Sequence, residues 1–210
     1  MLNNYEEHIK NATMAFRAWV SNEMSGYDAS HDIVHIDNVV EHSQNILNSL
    51  STSRDVYVST ILAALAHDIC DKKYVRNPKS KLAKVSNALL RMGFSSTIIT
   101  TVTNVIPRIS FSRRMKEGDP LDLTHDELLV YRIVSDADML EAMGATGVVR
   151  TYMFQAVHGH TAKGAWIHTT NTLFRCIDYM SFDYSMREGQ VRLVRMQRIC
   201  SELQKERKFM

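Results

Sequence analysis

The dipeptide His67-Asp68 follows directly on a purely apolar run, Ile61–Ala66. A charged aspartate at the end of a buried helix loses its hydration, and this is costly unless another group compensates for it. A divalent metal ion compensates well because it concentrates positive charge in a small volume. An ordinary His–Asp hydrogen bond at a helix end is the alternative that this dipeptide alone leaves open.

Two other predicted helices also carry residues that bind metals. His35 lies on the apolar stripe of a helix predicted over about 33–50, and Asp138 lies on an amphipathic helix predicted over about 127–143. A single inward His is usually a core residue, but suitable side chains on three helices favour a shared metal site. Asp136 competes with Asp138, because the two lie about 200° apart on the helix and only one can face the metal.

The sequence around these residues resembles the HD superfamily of metal-dependent phosphohydrolases. The shared order is H…HD…D, carried here by His35, His67, Asp68 and Asp138. Three segments are also similar to those of one bacterial-type subfamily, namely His31–Val39 (HDxxHxxRV), His67–Tyr74 (HDIxDxKF) and Asp136–Gly144 (DADRLDAIG). The resemblance spans residues 31 to about 205. The chain departs from the subfamily pattern at Asn38, Cys70 and Met139, which leaves all four ligand positions intact.

The resemblance implies that one divalent metal ion is bound by His35, His67, Asp68 and Asp138. Related proteins use the aspartate of an A-D-x-[LF] string, which favours Asp138 over Asp136. The resemblance favours Mn²⁺ or Mg²⁺, and the ligand types also suit Fe²⁺, Co²⁺, Ni²⁺ and Zn²⁺. Dinuclear members have further His ligands before the last Asp, and only one His lies in that interval here, so we expect a single metal.

Other residues are candidates for contact with the substrate. Asp71, one turn beyond the HD pair, is predicted to orient or deprotonate the attacking water, with a solvated carboxylate as the alternative. Lys72 and Lys73 are predicted to contact phosphate oxygens, as is Lys163 in a matched HTAK string. His31 is expected near the substrate phosphate at the start of a helix, although its spacing to the next His would also suit a metal site on one helix.

The pattern of the whole chain predicts an all-α fold, an HD-domain helical bundle with a single metal site in its core. Only three Pro occur, and no β-type alternation is evident. We expect one domain over 1–210, with a core over about 27–145 and a C-terminal helical part over about 146–210. Ser110–Thr124 is predicted to be a mobile surface loop. Its Arg113 and Arg114 are interpreted as surface residues, with contact to phosphate as the alternative. The other predicted helices run over about 5–19, 56–69, 81–92, 96–106, 145–154 and 174–203.

Composition excludes several classes of protein. The net charge of +2 gives no strong signal for nucleic acid, and the longest apolar run is far too short for a membrane span of about 20 residues. The polar first residues do not look like a signal peptide. Three Cys without a C-x-x-C pair indicate neither a disulfide framework nor a zinc knuckle, so we expect a soluble, cytoplasmic protein.

These observations predict metal-dependent hydrolysis of a phosphoester or pyrophosphate bond. The expected partner is a small phosphorylated molecule, with nucleotides as the leading class, and a homodimer is left open. The alternative is a catalytically weak HD domain that serves as a nucleotide-binding or regulatory module.

Overall fold

A computed structural model describes residues 2–27 and 32–206, with side chains from residue 6 onward. These residues are helical and contain no strand, which confirms the predicted all-α class. None of their helices is both long and apolar enough to cross a membrane. The α-helices are α1 (Leu2–Glu23), α2 (Ile33–Leu47), α3 (Arg54–Ala66), α4 (Pro78–Arg91), α5 (Ser96–Val105), α6 (Phe111–Glu117), α7 (His125–Glu141), α8 (Gly144–Val157), α9 (Ala162–Asn171) and α10 (Asp183–Lys205). Two 3-10 helices span Ile106–Arg108 and Leu173–Tyr179.

Helix α3 lies at the centre of the N-terminal part of the fold. Every residue from Val58 to Ala66 is buried, so the helix is apolar around its whole circumference. Such a helix must be covered on all sides, and α2, α5 and α7 pack around it. Its N-terminus is fixed by Ser53, whose hydroxyl accepts the N–H of Val56 at 3.2 Å. The HD pair, His67-Asp68, follows the opposite end of α3 and is therefore positioned in the interior.

Helix α7 runs beside α2 and α3 and begins with a capping box. The Thr124 hydroxyl accepts the N–H of Glu127 at 3.3 Å, and the Glu127 carboxylate accepts the N–H of Thr124 at 2.9 Å. These reciprocal bonds satisfy two backbone donors at the start of the helix. The predicted boundaries of α2, α3 and α7 lie within three residues of the observed ones, and α3 ends before His67 rather than after it.

The C-terminal helices form a second layer against the end of α7. Their shared core includes Leu140, Met143, Cys176 and Met196, all of which are buried. Helix α9 was not among the predicted helices. It is short and carries little apolar periodicity, and it begins where the Thr161 hydroxyl accepts the N–H of Gly164 at 3.1 Å.

The segment Ser110–Thr124 is not the mobile surface loop that the sequence predicts, because it contains α6. Arg114 of this helix is only 6% exposed and binds Asp119 and Asp136, with nitrogen–oxygen distances of 2.8 and 3.3 Å. The prediction that Arg114 is a surface residue is therefore wrong, since its guanidinium is buried against Asp136 of α7. Arg113 is exposed, as predicted.

Candidate metal centre

His67 follows the last residue of α3, and the backbone of that helix fixes its ring. Its Nδ1 lies 2.8 Å from the carbonyl oxygen of Ala64, one turn earlier. A carbonyl oxygen only accepts hydrogen bonds, so this contact assigns the proton to Nδ1 and leaves a lone pair on Nε2. The ring is 5% exposed. His67 thus presents inside the protein an Nε2 lone pair that could bind a metal ion.

His35 reaches the same point from the first turn of α2. The Asp32 carboxylate caps this helix by accepting the N–H of His35 at 3.0 Å. The residue that begins α2 therefore also fixes the turn that carries the ligand. The Nε2 atoms of His35 and His67 are 3.3 Å apart, and their rings are inclined by 72°.

Two carboxylates approach this pair of imidazoles. Asp68 Oδ2 lies 3.4 Å from His35 Nε2 and 3.3 Å from His67 Nε2. Asp138 Oδ1 lies 3.6 and 3.7 Å from the same two nitrogens. Adjacent ligands on a metal with bonds of about 2.1 Å are about 3.0 to 3.4 Å apart, so these side chains fit a divalent cation with only small adjustments.

The charges in the cluster also favour a cation. Burial lowers the pKa of His67, but the carboxylates of Asp68 and Asp138 outweigh this effect and raise it well above its usual value. Burial likewise raises the pKa of Asp68, yet the two imidazoles hold it well below the ordinary range. The site thus stabilises positive charge between its carboxylates, and a metal ion supplies that charge without requiring protonated imidazoles.

The carboxylate of Asp136 is engaged elsewhere. It accepts hydrogen bonds from the Ser181 backbone N–H at 2.7 Å and the Ser185 hydroxyl at 2.5 Å, and it pairs with Arg114. The structure therefore brings Asp138, and not Asp136, to the imidazole pair.

No family model matches the chain. YpgQ of Bacillus subtilis, an uncharacterised protein, is 28% identical over 195 residues, which cover 90% of this chain and 91% of YpgQ. A crystal structure of YpgQ in complex with ADP matches with a TM-score of 0.72 at 27% identity, covering 92% of this chain and 97% of that one. A crystal structure of an HD-superfamily hydrolase from Bacillus thuringiensis matches with a TM-score of 0.73 at 20% identity, covering 96% of this chain and 100% of that one.

The chain has the fold of the HD superfamily. This finding confirms the resemblance predicted from the H…HD…D order, while the subfamily stays a prediction. Because each match covers at least nine tenths of both chains, the likeness extends from the core helices into the C-terminal layer.

A further carboxylate lies behind the cluster formed by His35, His67, Asp68 and Asp138. Glu141, near the end of α7, is buried, and its Oε2 lies 4.0 Å from His35 Nδ1. The same oxygen accepts a hydrogen bond from Asn38 at 3.0 Å, and Oε1 lies 3.3 Å from Arg192 of α10. Burial raises the pKa of Glu141, but hydrogen bonds from His35, His42 and Asn38 hold it well below the usual range. Glu141 is therefore placed to orient the His35 ring, whose Nε2 could bind a metal ion.

We expect Glu141→Gln to weaken metal binding by about 10- to 100-fold, as is typical when a carboxylate behind a ligating histidine is lost. The amide keeps the size of the side chain but removes the negative charge that faces the imidazole. Isothermal titration of the metal-stripped protein with Mn²⁺ measures this effect. Glu41→Gln, an exposed carboxylate on the same helix as His35, is the matched control. Equal affinities for the two variants would show that Glu141 plays no part in orienting the ligand.

The cluster opens into a cavity of about 610 Å³. The cavity is lined by the cluster itself and by the residues that follow the HD pair. Residues of α8, of α9 and of the 3-10 helix Leu173–Tyr179 also line it. The segment from Ile106 to Arg113 contributes further lining residues. A cavity of this volume suits a small molecule.

The predicted substrate residues fall into three groups. Asp71, Lys72 and Lys73 all line the cavity. Lys163 lies exposed on α9 and is not among the lining residues, so the structure does not bring it to the cavity. His31 lies outside the described residues.

Two residues of the site escaped the sequence analysis. Glu141 fell inside the matched motif but had no assigned role, since its contact with His35 depends on how α2 and α7 pack. Arg150 of α8 lines the cavity, and its guanidinium donates to the carbonyl oxygen of Glu141 at 3.3 Å. The signal that could have revealed Arg150 is its helical spacing with Gly147 and Phe154, which line the same wall.

Proposed function

We propose that this HD domain hydrolyses a phosphoester or pyrophosphate bond in a nucleotide with the help of one divalent metal ion. The ion would be held by His35, His67, Asp68 and Asp138. The observation that carries the proposal is the approach of two carboxylates to a pair of imidazoles, with oxygen–nitrogen distances of 3.3 to 3.7 Å, beside a cavity large enough for a nucleotide. Of Mn²⁺ and Mg²⁺, the two imidazole ligands favour Mn²⁺, because Mg²⁺ prefers a shell of oxygen atoms.

A bound metal would lower the pKa of a water molecule toward neutrality and polarise a phosphoryl oxygen. Asp71 would orient the attacking water and accept its proton. One of its oxygens accepts the N–H of Lys73 at 2.8 Å, and the other lies 3.5 Å from the Lys73 ammonium group, which holds the carboxylate in the cavity wall. Lys72 and Lys73 would offset the charge of the phosphoryl oxygens during the reaction.

Two observations support a nucleotide as the substrate. The YpgQ structure, at 27% identity to this chain, contains ADP. In this chain, cationic, aromatic and amide side chains line one cavity, including Arg150, Phe154 and Gln155. These are the groups needed to bind a phosphate chain and a base together.

The proposal is tested with a panel of nucleoside mono-, di- and triphosphates. The purified protein is stripped of metal, divided, and reloaded with Mn²⁺, Mg²⁺ or no metal. We expect turnover only in the metal-loaded samples. Phosphorus NMR of the products distinguishes the release of phosphate from that of pyrophosphate. Reaction in ¹⁸O-labelled water then identifies the phosphorus atom that is attacked.

Binding of nucleotides without turnover in any metal would replace the proposal with the nucleotide-binding module. Hydrolysis of a phosphoester that lacks a base, with no binding of nucleotides, would retain the metal chemistry and reject the substrate class.

A further inference from the structure

Helix α8 presents one continuous face to the cavity. Its lining residues are Gly147, Arg150, Thr151, Phe154 and Gln155. Their spacings of three, four, seven and eight residues place them in a single row along the helix. A rise of about 1.5 Å per residue makes this row about 12 Å long. The other side of α8 carries Val149 and Met153, which are 57% and 41% exposed.

The first part of this row adjoins the metal cluster. Arg150 donates to the carbonyl oxygen of Glu141, and its guanidinium lies 3.9 Å from Oε2 of the same residue. That oxygen in turn lies 4.0 Å from Nδ1 of the ligand His35. The start of α8 is also held close to the end of α7, since a Cβ at Gly147 would lie 2.2 Å from the Ala142 carbonyl oxygen. The guanidinium is thus fixed before any substrate binds.

The second part of the row, Phe154 and Gln155, carries no charged side chain. Phe154 provides an aromatic ring, with the Lys73 ammonium group 4.7 Å from its centroid. Gln155 provides an amide, and His168 of α9 lines the same region of the cavity. Burial lowers the pKa of His168, and the charge of Lys73 lowers it further, so its ring is neutral and offers both a donor and an acceptor. Neutral groups that donate and accept suit the edge of a nucleobase.

We propose that α8 sets the direction in which a nucleotide lies in the cavity. Arg150 binds the phosphate chain beside the metal cluster, and Phe154 and Gln155 bind the nucleobase two turns of helix away from Gly147. This inference rests on the proposed function, since it names the residues by which the same cavity selects a nucleotide over a simple phosphate. A guanidinium suits this role because its donors form paired hydrogen bonds with phosphate oxygens.

The test compares the binding of two ligands, ADP and inorganic pyrophosphate, by titration calorimetry on Mn²⁺-loaded protein. Arg150→Ala should weaken the binding of both ligands by about 10- to 100-fold, because it removes charged hydrogen bonds common to both. Gln155→Ala should weaken the binding of ADP by about 2- to 10-fold and leave the binding of pyrophosphate unaffected, because only ADP carries a base. Arg150→Lys keeps the positive charge but lacks the planar guanidinium that forms paired hydrogen bonds. Its affinity for both ligands should lie between those of the wild type and of Arg150→Ala.

Met153→Ala, which changes the exposed side of α8, is the control and should bind both ligands as the wild type does. If Arg150→Ala leaves pyrophosphate binding unchanged, or Gln155→Ala weakens both ligands equally, the assignment of α8 is overturned while nucleotide hydrolysis stands. If the wild type binds pyrophosphate but not ADP, both the inference and the nucleotide substrate are overturned. Thermal unfolding of each variant verifies that it is folded.

Discussion

Replacing Asp68 with alanine is expected to abolish metal-dependent hydrolysis, with a loss of about a thousand-fold or more. The change removes a carboxylate that lies within hydrogen-bonding range of both ligand imidazoles, at 3.4 and 3.3 Å from the two Nε2 atoms. Without this charge, the cluster loses much of its attraction for a divalent cation. The metal content of the purified variant and its rate of nucleotide hydrolysis measure the two consequences separately.

The control for this variant is Asp55→Ala, which removes an exposed carboxylate from the first turn of the same helix that leads to the HD pair. It should retain both metal and activity. A folded Asp68→Ala protein that binds Mn²⁺ with wild-type affinity would show that the cluster is not the metal site. A protein that loses its metal but still hydrolyses nucleotides would place the chemistry elsewhere.

The second large effect is expected at Asp136 and concerns stability. Its carboxylate is completely buried and accepts three hydrogen bonds, one of them from Arg114. Asp136→Ala leaves that guanidinium buried with one partner fewer, and breaking a buried pair costs about 3 to 5 kcal/mol. We expect the lower end of this range, because Arg114 also binds Asp119. Urea unfolding measures the free energy of unfolding.

A double variant separates the contribution of the Arg114–Asp136 ion pair to stability from that of the other hydrogen bonds of Asp136. Arg114→Met combined with Asp136→Ala should lose less stability than the sum of the two single variants, because neither charge is then left buried alone. Asp126→Ala, an exposed position on α7, should cost only about 0.5 kcal/mol through the helix dipole. Strict additivity of the two single variants would contradict the predicted coupling.

The helices that carry the metal cluster could be predicted because their signals are local. The apolar run before His67 predicts a buried helix that delivers the HD pair to the interior, and the spacing around His35 predicts an amphipathic helix. Both signals arise within a few residues of chain. The predicted ends of these helices differ from the observed ones because the last turn of a helix depends on packing with its neighbours. Helix α3, for example, ends at Ala66.

Features that depend on distant residues could not be predicted in the same way. Arg114 reads as a surface residue in a polar segment, but its partner Asp136 is 22 residues away. Glu141 contacts Arg192, which is 51 residues away in the sequence, and no local sequence pattern predicts that contact. Helical spacing alone left Asp136 and Asp138 open, and only the resemblance favoured Asp138, because the contacts of Asp136 with Ser181 and Ser185 join residues far apart in the sequence.

The position of Glu141 has a thermodynamic consequence for the two ligands of the cavity. One of its oxygens lies within 4.0 Å of both a metal-binding imidazole and the guanidinium of Arg150. A metal ion bound by His35 and a nucleotide bound by Arg150 would therefore both affect the carboxylate of Glu141. Any free energy by which the ion tightens binding of the anion must equal that by which the anion tightens binding of the ion. For the proposed metal and nucleotide sites, the two affinities are therefore thermodynamically linked, and we propose Glu141 as the residue that couples them.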